Sequence, residues 1–184
     1  MERSEFMSIR MAGVQDVPGI LKVYGYYVEN TAVSFEYTVP TLEEFTQRFL
    51  GITENFPWLV WEEEGQILGY AYGSLPFSRA AYQWCAGASV YLREDAWGKG
   101  IGKELYAALE EILRKQGYKK VYAIITEVNE ASVAFHRAVG YRQVATLPDC
   151  GYKFGKWYGI VWMEKELNSW DTPPKAPVLI CSMD

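Results

Sequence analysis

Three glycines alternate with other residues within residues 98–102, between an apolar run and a stretch with helical periodicity. Glycine allows the tight turn that brings successive backbone N–H groups to face one concavity. At a helix N-terminus, those N–H groups and the helix dipole bind a phosphate. Lys99 and Lys103 add positive charge locally, in a chain of formal net charge −5. The spacing therefore predicts a phosphate-binding loop, with a glycine-rich turn that only packs a helix on a sheet as the alternative.

Two other phosphate-binding motifs do not fit this segment. A Walker A loop needs the pattern GxxxxGK[ST], which the chain lacks. The dinucleotide fingerprint needs GxGxxG, whereas this segment has GxGxG. Neither type of nucleotide site is therefore expected.

A second candidate group lies further along the chain. Asn129 follows a predicted strand, and His136, the one histidine of the chain, lies seven residues later. An imidazole with its ordinary pKa of about 6.5 can act as acid or base near neutral pH. The alternatives are a histidine that only hydrogen-bonds within the fold and, for Asn129, a helix N-cap.

The elements that must position these residues follow from the hydrophobic periodicity and from turn and cap signals. Their order gives an antiparallel meander followed by one crossover connection. It predicts an α+β fold with a central mixed, mostly antiparallel, twisted sheet flanked by helices. Strands are predicted at residues 6–11, 57–61, 66–72, 81–92, 119–126, 141–146 and 158–164. Helices are predicted at residues 17–29, between Pro40 and Gly51 with a capping box at Thr41 and Glu44, at 100–116 and at 130–139.

Length and composition limit the class of protein. The 184 residues predict one domain, residues 1–167, followed by a tail, residues 168–184, that is ordered only if something holds it. No run of lysine or arginine occurs, so neither nucleic acid nor a membrane is expected as a partner. Cys85, Cys150 and Cys181 are widely spaced beside a single histidine, so neither a disulfide framework nor a metal site is expected. Without an apolar segment of about 18 residues, the expected location is the cytoplasm.

Residues 97–102 resemble the pyrophosphate loop of the GCN5-related (GNAT) acyltransferases, although Trp97 stands where that family usually has Gln or Arg. The next strand, Asn129 and a Gly–aromatic pair at 140–141 follow in the family's order. Within the family, the chain is similar to the branch of phosphinothricin, methionine sulfoximine and methionine sulfone acetyltransferases. That similarity spans residues 8–167. The segments and residues that carry the similarity are 30–36, 57–60, 81–84, 89–91, 132, 136 and 151–157.

The resemblance implies the GNAT acyl-CoA N-acyltransferase fold and transfer of an acetyl group from acetyl-CoA, the co-substrate. The acceptor would be the primary amine of a small molecule, an amino acid or an analogue, which attacks the thioester directly in a ternary complex. A homodimer is implied as well, and the high aromatic content agrees with it. The positions that the resemblance assigns to acetyl-CoA are Val90, Tyr91, Leu92, Trp97, Gly98, Lys99, Gly100, Ile101, Gly102, Lys103, Asn129 and Ser132.

The resemblance also assigns an acid and leaves the base open. His136 takes the place of the family's tyrosine that protonates the departing thiolate. In the phosphinothricin branch a glutamate before the central strand segment is the proposed base, but this chain has Gly87 there. Glu36 and Glu127 are the alternative carboxylates, with Glu36 favoured, and a solvated surface residue is the alternative for each.

Three positions are predicted on the acceptor side. Phe35 lies in one of the similar segments. Arg79 would pair with a substrate carboxylate, with an ordinary surface arginine as the alternative. Tyr158 replaces a histidine of the phosphinothricin branch, which implies a different acceptor pocket. Gly87 keeps open a second class of function, an acetyl-CoA-binding regulatory or interaction protein with weak or no transferase activity. Acetylation of protein N-termini or of an aminoglycoside is a third alternative.

Overall fold

The structure, a computed structural model, describes residues 7–182. Within them the chain forms seven strands and four α-helices. The strands are β1 (Met7–Met11), β2 (Trp58–Glu63), β3 (Gln66–Ser74), β4 (Cys85–Leu92), β5 (Lys120–Thr126), β6 (Arg142–Lys153) and β7 (Lys156–Glu166). The helices are α1 (Val17–Asn30), α2 (Leu42–Thr53), α3 (Ile101–Gln116) and α4 (Glu130–Ala138). Phe6, the predicted first residue of the opening strand, lies outside the described residues.

All seven strands belong to one sheet, in the order β1-β2-β3-β4-β5-β7-β6. Every neighbouring pair is antiparallel except β4 and β5, which are parallel. Parallel neighbours need a crossover connection, and α3 provides it between β4 and β5. The predicted α+β fold with a mixed, mostly antiparallel sheet is confirmed.

Helices cover both faces of the sheet. Leu109 of α3 is fully buried in one apolar cluster, together with Leu59 and Trp61 of β2. The buried faces of α1 and α2 form a second cluster with Trp58 and Val60 of the same strand. Successive side chains of a strand point to opposite faces, so the uninterrupted apolar run of β2 supplies both clusters.

Helix α2 begins as predicted and ends later. The N–H of Glu44 donates to Thr41 Oγ1 at 3.2 Å, and the N–H of Thr41 donates to the Glu44 carboxylate at 2.8 Å, which confirms the capping box. The prediction that Gly51 ends this helix is wrong, because α2 continues to Thr53. A glycine costs a helix about 1 kcal/mol relative to alanine. Ile52 packs against both apolar clusters, and this burial offsets the cost.

Strand β6 is much longer than the strand predicted at 141–146. Its residues 142–150 are all exposed, and its register against β7 shifts beyond Leu147. An exposed edge strand carries no clear alternation of apolar and polar residues, so periodicity does not reveal its length. Apart from α2, β6 and the start of β4, the described elements agree with the predicted ones to within two residues at each end.

The C-terminal residues lie beside the end of α3. Asp171 pairs with Lys119 at 2.7 Å, and the N–H of Val178 donates to the carbonyl of Gln116 at 2.8 Å. These contacts hold the segment after β7 against the C-terminal end of the helix. Across residues 7–182, no helix is both long and apolar enough to cross a membrane.

The parallel pairing of β4 and β5 is short, and this creates the main cleft. β4 begins at Cys85, later than the predicted strand at 81–92, because Ala80–Tyr82 forms a 3-10 turn. The register of β4 with β5 covers only Cys85 to Gly87, opposite Lys120 to Tyr122. Beyond these residues the two strands separate, and their edges face each other across an open wedge.

Candidate active site

The wedge between β4 and β5 holds a cavity of about 450 Å³. Its walls come from the separated halves of both strands, from α1 and the loop after it, from the loop before α3, from the N-terminal part of α3, and from α4. Residues from five elements therefore meet at one place. They are Tyr27, Thr31, Val33, Ala88, Ser89, Val90, Tyr91, Leu92, Trp97, Gly98, Gly102, Tyr106, Ala123, Ile124, Ile125, Thr126, Asn129, Ala131, Ser132, Phe135 and His136.

The main chain of Val90 faces this cavity. The N–H of Arg93 donates to the carbonyl of Leu68 on β3 at 2.8 Å, which fixes the hydrogen-bonding phase between β3 and β4. Because this phase alternates along an antiparallel strand, Tyr91 and Ser89 also bond toward β3. Val90 therefore directs its N–H and C=O away from β3, past the point where pairing with β5 has ended.

The main chain of Leu92 has the same orientation but is already engaged. The Tyr27 hydroxyl donates to the Leu92 carbonyl at 2.5 Å, and the Trp97 indole N–H donates to the same carbonyl at 3.2 Å. Of the two predicted main-chain positions, Val90 is thus open to a ligand, whereas the chain's own aromatic side chains bond the carbonyl of Leu92. The Trp97 indole lies across the end of β4 and lines the cavity.

The loop that leads into α3 has the conformation that its glycines require. Gly98 and Gly100 have φ of 74° and 84°, in the left-handed region that other residues avoid. Gly100 is the N-cap of α3, and no side chain caps the first turn of this helix. The first N–H groups of a helix have no partner inside the helix, so this start offers donors and the positive end of a dipole to an anion.

The structure brings most of the predicted acetyl-CoA residues together, but not all. Eight of the twelve line the cavity, and the four that do not are Lys99, Gly100, Ile101 and Lys103. Ile101 is 2% exposed and packs in the core cluster with the inner face of α3, so only its main chain is near the loop surface. The two lysines are exposed beside the glycines, on the outer side of the helix start.

Helix α4 carries the predicted polar residues on the cavity side. Asn129 caps the helix, since its Oδ1 accepts the N–H of Ser132 at 3.1 Å, as the N-cap interpretation predicts. His136 is 3% exposed, and burial lowers the pKa of its imidazole, against a smaller opposing effect of the hydrogen bond to the Ser132 main chain. The imidazole is therefore neutral at neutral pH.

The partners of His136 fix where its proton lies. Its Nδ1 is 2.7 Å from the carbonyl oxygen of Ser132, which can only accept, so Nδ1 carries the proton. In a neutral imidazole, Nε2 is then an acceptor, and the Tyr106 hydroxyl lies 2.9 Å from it. The same hydroxyl is 3.1 Å from the carbonyl of Ala88 on β4. One phenol proton thus serves two acceptors on the floor of the cavity, and burial raises the pKa of Tyr106, which keeps that proton in place.

Tyr106 and Tyr27 line the cavity although nothing in the sequence marks them as site residues. Each lies on the apolar face of its helix, where an aromatic residue is ordinarily a core residue. Their hydroxyl partners, the carbonyls of Ala88 and Leu92, lie on β4 and are brought near only by the fold. The sequence predicts that β4 leads into α3. It does not show which side chains of the helices contact the main chain of β4.

A second cavity, of about 430 Å³, adjoins the first. It shares Val33, Tyr91, Ile124 and Thr126 with the first cavity. Its other lining residues come from α1, the loop after α1, and β7. They are Tyr24, Ser34, Phe35, Glu36 and Ile160.

Glu36 is the carboxylate at this second cavity. Its Oε1 pairs with Arg48 of α2 at 2.7 Å, and both side chains remain partly exposed. Glu127 lines neither cavity, because its carboxylate turns to accept the N–H of Gly159 at 2.9 Å. Of the two carboxylates considered as a base in place of the family's glutamate, Glu36 is the one that lines a cavity.

The remaining predicted acceptor residues lie in different places. Tyr158 is buried with its ring centroid 6.4 Å from that of Phe35, so it supports the cavity wall from behind. Arg79 is exposed in the loop before β4 and lines neither cavity. A Cβ at Gly87 would lie 2.6 Å from Ser74 Oγ, so a side chain at this position would have to displace Ser74.

Comparisons with known proteins give the family. The sequence model of the acetyltransferase (GNAT) domain matches residues 9–162. An L-methionine sulfoximine/L-methionine sulfone acetyltransferase of Pseudomonas aeruginosa is 37% identical over 171 residues, covering 91% of this chain and 98% of that protein. A phosphinothricin N-acetyltransferase of Alcaligenes faecalis is 34% identical over 169 residues, covering 90% of this chain and 85% of that protein.

Solved structures agree with the sequence relatives. A GNAT superfamily phosphinothricin acetyltransferase from Sinorhizobium meliloti, solved in complex with AcCoA, has a TM-score of 0.87 to this chain at 32% identity, and the match covers 94% of both chains. The domain match extends over most of the chain, and the sequence relatives match over most of their own length. The chain therefore belongs to the GNAT family of acetyltransferases and is an N-acetyltransferase with the GNAT fold.

Proposed function

We propose that this protein transfers the acetyl group of acetyl-CoA to the primary amine of a small amino acid or amino-acid analogue. The observation that carries the proposal is the junction of two cavities at the point where β4 and β5 separate. One cavity ends at the uncapped start of α3, and the other ends at Glu36. The names of the relatives, which act on methionine sulfoximine, methionine sulfone or phosphinothricin, support the same class of acceptor.

The first cavity fits acetyl-CoA by the kind of groups that it presents. The start of α3, with Gly98 and Gly100 in left-handed conformations, would hold the pyrophosphate. The main chain of Val90 offers one donor and one acceptor, which suits the amides of a pantetheine arm. Acetyl-CoA supplies an acetyl group activated as a thioester. The protein supplies binding, orientation and positions for protons.

Residues of the chain account for the two proton movements that transfer requires. The attacking amine must lose a proton, and Glu36 is the carboxylate beside the cavity that can take it, directly or through water. The departing sulfur must gain a proton, and the hydroxyl of Tyr106, which contacts His136 Nε2 and the Ala88 carbonyl, carries one on the cavity floor that can be donated. The phenolate left behind then takes up a proton from solvent. The N–H of Val90 faces the cleft as a donor for a developing oxyanion.

The lining of the second cavity favours an amino acid over the other acceptors considered. An aminoglycoside or a polyamine would suit an open acidic groove, whereas this cavity has one carboxylate, Glu36, neutralised by Arg48. Aromatic side chains, Tyr24, Phe35 and Tyr91, form much of its wall. A small cavity with an aromatic wall and a single carboxylate, which is itself paired with a guanidinium, fits a small amino acid better than a polycation.

Homodimer formation and a cytoplasmic location are parts of the same proposal. Strand β6 is an exposed edge with apolar Val144 and Leu147 on its surface, which is typical of a strand that pairs with another chain. Cys85, Cys150 and Cys181 are free thiols, as is usual in a reducing compartment.

The test is an acceptor screen with acetyl-CoA in which release of free CoA is followed by a thiol reagent. Amino acids, methionine sulfone, methionine sulfoximine and phosphinothricin form one set of acceptors, and an aminoglycoside, spermidine and a peptide N-terminus form the other. Turnover in the first set above the background without acceptor is expected. Turnover confined to the second set would contradict the proposed acceptor, and CoA binding without turnover in either set would favour a regulatory protein.

A further inference from the structure

The loop of residues 31–37 forms one wall of the second cavity. It follows α1 directly and carries Ser34, Phe35 and Glu36, all of which line that cavity. A loop of this kind needs partners for its main chain if its side chains are to hold one position. Two N–H groups of the loop bond side chains within it, those of Val33 to Thr31 and of Glu36 to Ser34. Two of its carbonyls are bonded by a residue of the β6–β7 hairpin, far along the chain.

Lys153, the last residue of β6, is buried under this loop at 2% exposure. Its ammonium donates to the carbonyls of Val28 at 2.7 Å, Thr31 at 2.9 Å and Ser34 at 2.7 Å. An ammonium has three donors and no acceptor, so these three carbonyls use its full capacity. One of them belongs to the last turn of α1, where the helix dipole favours a cation.

The hairpin that carries Lys153 touches the same loop at two further points. The Tyr37 hydroxyl donates to the carbonyl of Tyr152 at 2.7 Å. A Cβ at Gly151 would lie 2.2 Å from the nearest ring atom of Phe35, so the Phe35 ring occupies space that a side chain at residue 151 would fill. The loop and the β6–β7 hairpin are therefore fitted to each other around the ammonium.

We propose that Lys153 is a positioning residue for the acceptor, which sets the place of Ser34, Phe35 and Glu36 without contacting the substrate itself. The inference rests on the proposed function for the identity of the second cavity. It gives a role to Gly151 and Lys153, which lie in the segment 151–157 that resembles the family and has no other assigned role. Lys153 lines neither cavity, so its effect on the acceptor passes through the three carbonyls.

Two substitutions of graded severity test the proposal. Lys153→Gln keeps a shorter side chain with two donors, whereas Lys153→Met keeps the length and removes every donor. The acceptor KM is expected to rise about tenfold or more in K153M and by less in K153Q. The acetyl-CoA dissociation constant is expected to stay within about twofold of wild type, because the wall at the start of α3 is untouched. Lys22→Met, at an exposed lysine of α1, is the matched control and should change neither value.

Amide hydrogen exchange gives a readout that does not depend on activity. Residues 31–37 are expected to exchange faster in K153Q than in wild type, with the protection of α3 unchanged. If wild type acetylates no amine, the proposed function fails, and the exchange result alone then decides on Lys153. An unchanged acceptor KM with unchanged exchange would overturn the role. Equal losses of acceptor binding and acetyl-CoA binding, or loss of fold in both variants, would overturn it too. Lys153 would then support the whole fold and not the acceptor loop in particular.

Discussion

At the scale of single residues, the hydrogen bonds of His136 limit the chemistry open to it. With Nδ1–H bonded to the Ser132 carbonyl, the neutral imidazole presents only a lone pair toward the Tyr106 hydroxyl. His136 therefore acts on the cavity through Tyr106 rather than as a free acid. The sequence predicted that His136 belongs to a site, but its partner lies on another helix, 30 residues away in the chain, and spacing along one helix cannot reveal it.

Substitution of His136 by alanine is expected to lower turnover more than it lowers acetyl-CoA affinity. The imidazole orients the Tyr106 hydroxyl, whereas the start of α3 and the Val90 main chain lie elsewhere in the cleft. A loss of about 10²-fold in kcat is expected for a group that positions a proton, with the dissociation constant of acetyl-CoA from calorimetry nearly unchanged. Equal losses in both quantities would show that His136 only supports the fold.

The buried imidazole also predicts how stability depends on pH. The pKa of His136 is lowered in the folded protein, so below its ordinary value of 6.5 the unfolded chain binds a proton that the folded chain does not. Its contribution to stability is present above pH 6.5 and is lost as the pH falls through the folded pKa. Urea unfolding of wild type and His136→Gln at pH 7.5 and pH 5 measures this. Wild type should lose more stability than the variant, and identical losses would contradict the argument.

At the scale of elements, the conformation of the glycine-rich loop was the feature that the sequence predicted best. A left-handed turn at a helix start needs glycine at defined positions, so its pattern is local and readable. The capping box of α2 was predictable for the same reason. The length of β6 and the position of Lys153 were not, because the edge strand has no periodic pattern and the ammonium bonds carbonyls 119 to 125 residues away.

Gly100→Glu is expected to abolish acetyl-CoA binding, because it places a carboxylate beside the proposed pyrophosphate site. Gly100→Ala separates charge from strain, since alanine also meets the left-handed φ of 84° but adds no charge. It should weaken binding far less. Gly51→Glu on the exposed surface of α2 controls for the added charge. Unchanged acetyl-CoA affinity in a folded Gly100→Glu variant, measured by calorimetry, would remove the loop from the site.

At the scale of the whole molecule, the sheet order determines both the cleft and the exposed edge. After β5 the chain forms α4 and then the β6–β7 hairpin, with β7 next to β5 in the sheet. This order places the hairpin beside α1 and the loop after it, so the second cavity adjoins the first. No single segment of the sequence predicts that these two cavities adjoin. The resemblance to a family supplied what periodicity could not, namely which positions on β4, in the loop before α3 and on α4 to consider together as one site.

The substitution Leu147→Glu is expected to shift the protein from dimer to monomer, since β6 is the strand proposed to pair with the second chain. Leu50→Glu on α2 is the matched control, because the two leucines are almost equally exposed, at 42% and 43%. Sedimentation equilibrium at several concentrations measures the change. A wild-type protein that is monomeric throughout, or a Leu50→Glu variant that dissociates equally, would contradict the role of the edge.

The central claim is that this chain moves an acetyl group from acetyl-CoA to the amine of a small amino-acid-like molecule. The most direct test incubates the purified protein with acetyl-CoA and methionine sulfone, and follows N-acetylated product by mass spectrometry and free CoA by thiol release in the same sample. Each transfer releases one CoA, so N-acetylated product and free CoA are expected in equal amounts, and both are expected to be lost in the Gly100→Glu variant. CoA release without acetylated amine, or product formed equally by Gly100→Glu, would contradict it.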